Sequence, residues 1–405
     1  MMDIVQDITS TADRDSGLLP ANLQIRTART VCEVEAIRNV WQKMHAHPNA
    51  DIDLFLSVNE VRKTIVRPHV MVLGDSSQPS VLVVGRIETI GSNDFVNRLS
   101  RKIPMLCKLR IIQGGFLGNL DDDHCQAVFE EILSLLRRRV VHVVQLDHLD
   151  IRSNIYRQAT RIPQFRSKDH CIVPVEHWTG YLGISYQDYC NSRSKNTRRN
   201  LRRYTSLFLS EFDKRWSIKI LNQPSDLEQI MRDTEVIAAK TYQYALAGGF
   251  KCDNEMRALV SLALNKGWMR AFILYVDRKP VAFWNGIAYL DRFHTWTTGY
   301  APELAKYHVG TFLLARLLEN LCQDERINHI DFGFGNAQYK RSYCDDIRHE
   351  ASVRVYGPGL IAVCMNVAKT ASTLAYEGTR RVVLSTKSLQ KVRKAWRKRL
   401  LKRKE

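Results

Sequence analysis

Apolar residues recur at helical spacing over residues 31–45, with Val34, Ile37, Val40, Trp41 and Met44 on one side, which predicts an amphipathic helix. Short β-rich runs bounded by turn residues follow at 70–73, 81–87 and 109–112. A second helical pattern covers 122–139, with Val128, Ile132, Leu135 and Leu136 on one face. A strongly apolar strand at 140–146 and a short helix at 154–160 complete the first half. The second half repeats this order. Strands are predicted at 269–276 and 281–289, joined by the turn Asp277-Arg278-Lys279-Pro280, and a third at 293–298. Leu313, Leu314, Leu317, Leu318 and Leu321 form the buried stripe of a helix, and 328–332 reads as the next strand.

Each half therefore reads strand, strand, strand, helix, strand, and the simplest architecture is α/β: two similar domains in tandem, each a mixed central sheet flanked by helices. The expected division is a loose N-terminus over 1–20, a first domain over 21–184, a basic connecting helix over 185–212, a second domain over 213–358 and a basic helical tail over 359–405. The connecting segment has no Pro or Gly and is rich in Arg. The tail ends amphipathic and basic, with Val392, Trp396 and Leu400 set among Lys and Arg.

Charge sharpens this division. The chain of 405 residues carries 60 Lys+Arg against 42 Asp+Glu, a net charge of +18. The stretch 380–405 alone holds twelve basic residues and one acidic, so +11 of that surplus sits in the tail. With 45% hydrophobic and 25% charged residues the composition is globular, which excludes collagen-like, coiled-coil and wholly disordered classes. The nine cysteines are scattered without a C-x-x-C pair, which argues for free thiols over a disulfide framework or a zinc ribbon. The acidic, polar N-terminus is unlike a secretory signal. The apolar stretch 360–367 is far shorter than the roughly 20 residues a membrane-spanning helix needs. The expectation is a cytoplasmic protein, peripheral at the membrane if the tail docks there.

Three constellations could carry chemistry. The first is IDFGFG at 330–335 followed by YKRSY at 339–343: a strand ending in Asp331 and two glycines, then Lys340 between aromatics. A strand end with a tight turn and a snorkelling lysine explains the same residues without chemistry. The second is the connection 299–311, where the backbone N–H groups opening the leucine-striped helix suit an anion and Gly310 permits close approach. The third is the ridge of Lys195, Arg198, Arg199 and Arg202, which share a helix face and suit phosphates, an anionic glycan or nucleic acid. A solvated helix face is its plain alternative.

Together, VAFWNGIAY, TGYAPELAKYHVGTFLLARLLE and HIDFGFGNAQYKRSY, with SRSKNTRRNLRRY and KTYQYALAGGF upstream, resemble GNAT-type acyltransferases of the branch named after the cellulose-biosynthesis protein CelD. The resemblance covers residues 180–356 and extends distantly to the Fem-type aminoacyl transferases. It implies tandem GNAT-like domains and an acyl thioester, acetyl-CoA or another acyl-CoA, as co-substrate without a metal. Its pyrophosphate would meet Tyr307, His308, Val309, Gly310 and Thr311. The family loop normally has Gln or Arg followed by two spaced small residues, whereas this one has only Gly310. The Fem-type aromatic-Lys-x-x-aromatic motif, matched by Tyr339 to Tyr343, implies Lys340 as the cation at the oxyanion, with Asp331 orienting or deprotonating the acceptor and Tyr339 beside them.

Three functions follow from these signs. The leading one is N- or O-acyl transfer to a sugar, polysaccharide precursor or related amine. A Fem-type transferase would use the basic helix and tail to grip tRNA, although no long paired-helix insertion is visible. A non-catalytic scaffold would bind anionic membrane or nucleic acid through the same basic regions.

Overall fold

The computed structural model describes residues 24–74, 79–90, 106–241, 244 and 249–385, with side chains up to Thr379. The loose N-terminus expected from the sequence, and residues 386–405 of the basic tail, lie outside the described residues.

The first half runs β1 (Gln24–Ala28), α1 (Val31–Ala36), α2 (Arg38–Met44), α3 (Ile52–Val61), β2 (Ile65–Gly74), β3 (Pro79–Thr89), β4 (Cys107–Gly118), α4 (Asp122–Arg137), β5 (Val143–Asp150) and α5 (Asn154–Arg161). Then come β6 (Val175–Tyr181), α6 (Tyr186–Ser192) and α7 (Lys195–Phe212). The second half comprises β7 (Trp216–Leu221), α8 (Leu227–Ala238), α9 (Asn254–Asn265), β8 (Met269–Val276), β9 (Lys279–Tyr289), β10 (Arg292–Tyr300), α10 (Val309–Leu321), β11 (His329–Phe334), α11 (Lys340–Tyr343) and β12 (Asp346–Tyr356). A long helix, α12 (Leu360–Ser385), follows.

Two predicted helices are each interrupted. The pattern over 31–45 breaks at Ile37, whose φ of −100° and ψ of 8° leave the helical range, so α1 and α2 are separate. The basic segment breaks before Ser194, whose hydroxyl accepts from Thr197 N at 3.2 Å and caps α7.

The two halves share one sheet. Its order is β1-β2-β3-β4-β5-β12-β6-β11-β10-β9-β8-β7, so the first half adds strands in from one edge and the second half from the other. At the centre the halves exchange strands. β12, from late in the chain, pairs antiparallel with β5, while β6, from the first half, pairs with β11. β6 and β12 also pair with each other. The unpaired edges of β5 and β11 are thus each covered by the other half's strand, which removes two sheet edges from solvent.

Among the described residues each half contains a single parallel pair, β4 with β5 and β10 with β11, joined by a helix on the sheet face. Antiparallel hairpins need no crossover, but a parallel pair does, and α4 and α10 supply it. Both sheet faces are covered. α4 packs with β2–β5 around Phe129 and Val144, and α10 with α7 around Phe208 and Phe312. On the other faces, α2 and α3 cover Val70 and Val84, and α8 and α9 cover Met269 and Ile273.

Candidate active site

Parallel pairing is brief in both halves. β10 and β11 pair only over Arg292–His294 and His329–Asp331, and β4 and β5 only over Lys108–Ile111 and Val143–Leu146. Beyond those residues the strands part, and both openings face one cavity of about 930 Å³. Gln113, Asp147 and His148 line it from the first half, and Thr295 to Thr298, Asp331 and Phe334 from the second. An irregularity on each inner strand turns side chains toward it. The β5–β12 register shifts beside His148, which has φ 51°, and the β11–β6 register shifts between Asp331 and Gly333, where Gly333 has φ 67°.

Asp331 sits at the cavity wall at the end of β11, 5% exposed. Its Oδ1 accepts from His177 Nε2 at 2.7 Å and from Gly333 N at 2.7 Å, and its Oδ2 lies 3.3 Å from His294 Nδ1. His177 on β6 also bonds Glu350 Oε1 on β12 through Nδ1, at 2.6 Å. Burial opposes charge on His177, but the hydrogen bonds and charges of the two carboxylates outweigh it and push its pKa up to about 9. For Asp331 burial also opposes ionisation; bonds from His177 and His294 prevail and hold it well below the usual carboxylate range. The resting centre is a buried carboxylate–imidazolium–carboxylate row, with His294 against its inner end.

His47 joins this centre from the first half, its ring edge-on to His294 at 5.0 Å between centroids. His47, His294 and Asp331 each bring one nitrogen or oxygen within 4.8 Å of the others, and these are residue types that also ligate divalent metals. Further along the wall, Arg86 bonds Glu88 at 2.8 Å, Arg110 bonds Asp147 at 2.5 Å, and Trp296 lines the cavity.

Lys340 lies in the cavity wall, but its amine is engaged. Nζ donates to Phe334 O at 2.6 Å and to Gly333 O at 3.1 Å, and the residue is 4% exposed. Burial pushes its pKa down to about 8. Two of its three N–H donors are therefore spent holding the turn that presents Asp331, and the expected role as the oxyanion's cation meets a competing structural one. Tyr339 packs edge-on against Trp284 and Phe332, at 5.7 and 6.0 Å between centroids.

The segment from Tyr307 to Thr311 opens α10 but is not among the residues lining the cavity. His308 caps the helix in the left-handed region, φ 54°, and stacks on Tyr204 of α7 at 3.5 Å. Tyr307 donates to Glu211 Oε1 at 2.9 Å. The N–H groups of Thr311 and Phe312 go to His308 O, which leaves those of Val309 and Gly310 at the helix start. Gly310 is glycine for a reason the sequence did not show: a Cβ there would lie 3.1 Å from Tyr300 Cδ1. A bulky residue would thus press on Tyr300 even without a phosphate.

The basic ridge also divides. Arg198 donates to Asn191 O at 2.6 Å and to Arg193 O at 3.0 Å, tying α7 to the preceding turn. Lys195, Arg199 and Arg202 are exposed, and α7 packs on α10 away from the cavity lining.

Sequence reading found Asp331 and Lys340 but missed His177, Glu350, His294 and His47. Lone histidines separated by more than a hundred residues carry no spacing signal: the strand exchange brings His177 and Glu350 to Asp331, the β10–β11 pairing sets His294 opposite it, and the turn after His47 packs on β4.

Residues 191–341 match the GNAT acetyltransferase domain, which makes the chain an acyltransferase. No curated protein shows significant sequence similarity to it. Among solved structures, a conserved protein of unknown function from Bacteroides thetaiotaomicron VPI-5482 aligns with TM-score 0.51 and 14% identity, over 80% of this chain and 97% of its own. FemX aligns with TM-score 0.52 and 7% identity, over 80% of this chain and 96% of its own. A tandem GNAT protein from the clavulanic acid biosynthesis pathway gives 0.46 at 9% identity, over 83% and 100% of the two chains. At these identities the first two likenesses concern the fold, and the third adds nothing to them.

Proposed function

We propose that the protein transfers an acyl group from a coenzyme A thioester to a hydroxyl or amine of a sugar-bearing acceptor held in the central cavity. The observation that carries this is the buried Glu350–His177–Asp331 row ending at His294: His177, Asp331 and His294 line the central cavity, and Asp331 and His294 lie within the matched domain. The donor set at the start of α10 fits a phosphate. Val309 and Gly310 offer N–H groups, and Tyr300, which touches Gly310, ends the same strand whose residues Thr295 to Thr298 line the cavity. Val309 to Thr311 would hold the pyrophosphate. The thioester supplies an activated acyl carbon with a thiolate leaving group.

This chain's residues do the rest. With Nδ1 facing the Asp331 carboxylate, His294 carries its proton there and presents Nε2 as a base. Nε2 takes the acceptor's proton as its oxygen or nitrogen bonds to the acyl carbon, and returns it to the thiolate when the C–S bond breaks. His177, held as a cation, keeps Asp331 ionised so that it stabilises the imidazolium formed on His294. Lys340 acts as a positioning residue for the turn after Asp331. Trp296, Gln113, Asn49 and the threonines of β10 give an aromatic side chain among hydrogen-bonding groups, the chemistry that binds a sugar ring.

The test is thiol release from acetyl-CoA and longer acyl-CoAs, with acceptors compared as neutral glycans, amino sugars and simple amines. Turnover that requires a sugar acceptor and falls about 100-fold or more in His294→Gln supports the reading. Turnover with simple amines alone would remove the sugar, and unimpaired His294→Gln would remove the base.

A further inference from the structure

We propose that His47, from the first half of the chain, is the oxyanion donor of this site: a neutral imidazole whose Nε2–H meets the acyl carbonyl oxygen as negative charge develops on it. The inference rests on the acyl-transfer reading above and adds a catalytic residue outside the matched domain.

The tautomer follows from one hydrogen bond. His47 begins the short turn Pro48–Ala50, and its Nδ1 accepts from Asn49 N at 3.1 Å. A ring nitrogen that accepts carries no proton, so in the neutral ring the proton is on Nε2. The ring is also fixed in place. Gly114 on β4 has φ 72°, and a Cβ there would come within 2.6 Å of His47 Cβ, so the histidine lies against bare backbone. The turn is pinned on both sides: Trp41 Nε1 donates to Ala50 O at 2.7 Å, and Asp51 accepts from Tyr289 OH of the second half at 2.9 Å. With Nδ1 turned to Asn49 and Gly114, Nε2 is the nitrogen left for the cavity, which His47 lines together with His294 and Asp331.

The Nδ1-accepting tautomer leaves an uncharged N–H for the acyl oxygen, while His294, whose ring lies edge-on to it at 5.0 Å between centroids, takes the acceptor's proton. A fixed neutral donor of this kind stabilises an oxyanion without repelling the neighbouring imidazolium. Lys340, with its amine already on two carbonyls, is less free to serve.

His47→Asn separates catalysis from folding, because Asn preserves the cap on Asn49 N but does not reach the cavity. Loss of one oxyanion donor lowers kcat by about 100- to 1,000-fold. The expected result is that loss with KM for the acyl donor and the thermal midpoint little changed. Nitrogen-15 spectra of the histidines should show His47 protonated on Nε2 and uncharged at neutral pH. Wild-type kcat in His47→Asn, an Nδ1–H tautomer, or stoichiometric metal in the purified protein would each overturn the assignment. A wild-type protein without any acyl transfer would sink the functional reading as well, whereas an active enzyme indifferent to His47→Asn sinks only this inference.

A separate observation concerns α12. Its first half is tied down by Asn366, which donates to Lys168 O at 2.8 Å, and by an ion pair of Lys369 with Asp169. The opposite face carries Leu360, Val367 and Leu374, each 60% exposed or more, with Cys364, Ala368, Ala371 and Ala375 between them. We propose that this charge-free face lies on an anionic lipid surface. The chain continues from it directly into the +11 stretch, which anionic headgroups attract and a second copy's tail repels. Full-length protein should pellet with phosphatidylglycerol-containing vesicles and not with phosphatidylcholine alone, and Val367→Asp with Leu374→Asp should abolish pelleting while turnover on a soluble acceptor persists. Equal pelleting of both forms overturns the proposal. So does a wild-type dimer that the double variant converts to monomer.

Discussion

His177 makes stability depend on pH in a calculable direction. Its pKa in the folded protein is about 9 against an ordinary 6.5. Each unit is worth about 1.4 kcal/mol, so holding that proton contributes ~3 kcal/mol. The group binds its proton more tightly when folded. Its contribution is therefore complete below pH 6.5, shrinks as the unfolded chain deprotonates, and is lost as pH rises through about 9. The perturbation is His177→Gln, which keeps polar atoms between Asp331 and Glu350 but cannot carry the charge. Urea unfolding of both proteins across this window gives two stability curves. Their difference cancels other titrating groups, including Lys340, whose lowered pKa of about 8 acts in the opposite sense. The wild-type advantage should fall by ~3 kcal/mol between neutral and alkaline pH. Parallel curves would refute the account, because they would mean that His177 is not held as a cation by its two carboxylates.

Three further outcomes are expected. Lys340→Met leaves the carbonyls of Gly333 and Phe334 without their buried donor and should cost about 1–3 kcal/mol in urea unfolding, with turnover lowered because the turn presenting Asp331 loosens. Gly114→Ala places a Cβ against His47 at a left-handed backbone position, so it should lower both the thermal midpoint and kcat, while Gly267→Ala, also at positive φ but with open space around it, should spare kcat. Gly310→Val should weaken acyl-CoA binding in calorimetry and also shift Tyr300, which a change in tyrosine fluorescence or exchange protection near β10 would report.

The sequence by itself determined the periodic elements. Strands at 269–276 and 281–289 were legible as continuous apolar runs bounded by a turn, and the leucine-striped helix by its helical repeat, and neither signal needs a partner to be seen. Asp331 and Lys340 were visible too, since a strand end with glycines and a flanked lysine lie within one short motif. Other elements were harder. β7 alternates weakly and β12 begins with four exposed residues, because both earn strand geometry from a neighbour's hydrogen bonds more than from their own pattern.

The tertiary structure alone decided what the motif residues do. The exchange of β6 and β12 sets His177 and Glu350 beside Asp331, although 154 positions separate His177 from Asp331 and 173 separate it from Glu350. It also decided that Lys340 spends its protons on the turn and that His47 belongs to the site at all. Propensity is a property of neighbours along the chain, whereas a charge network is a property of neighbours in space. Tautomer, charge state and donor capacity depend on which atoms stand within about 3 Å, and only the folded sheet specifies those.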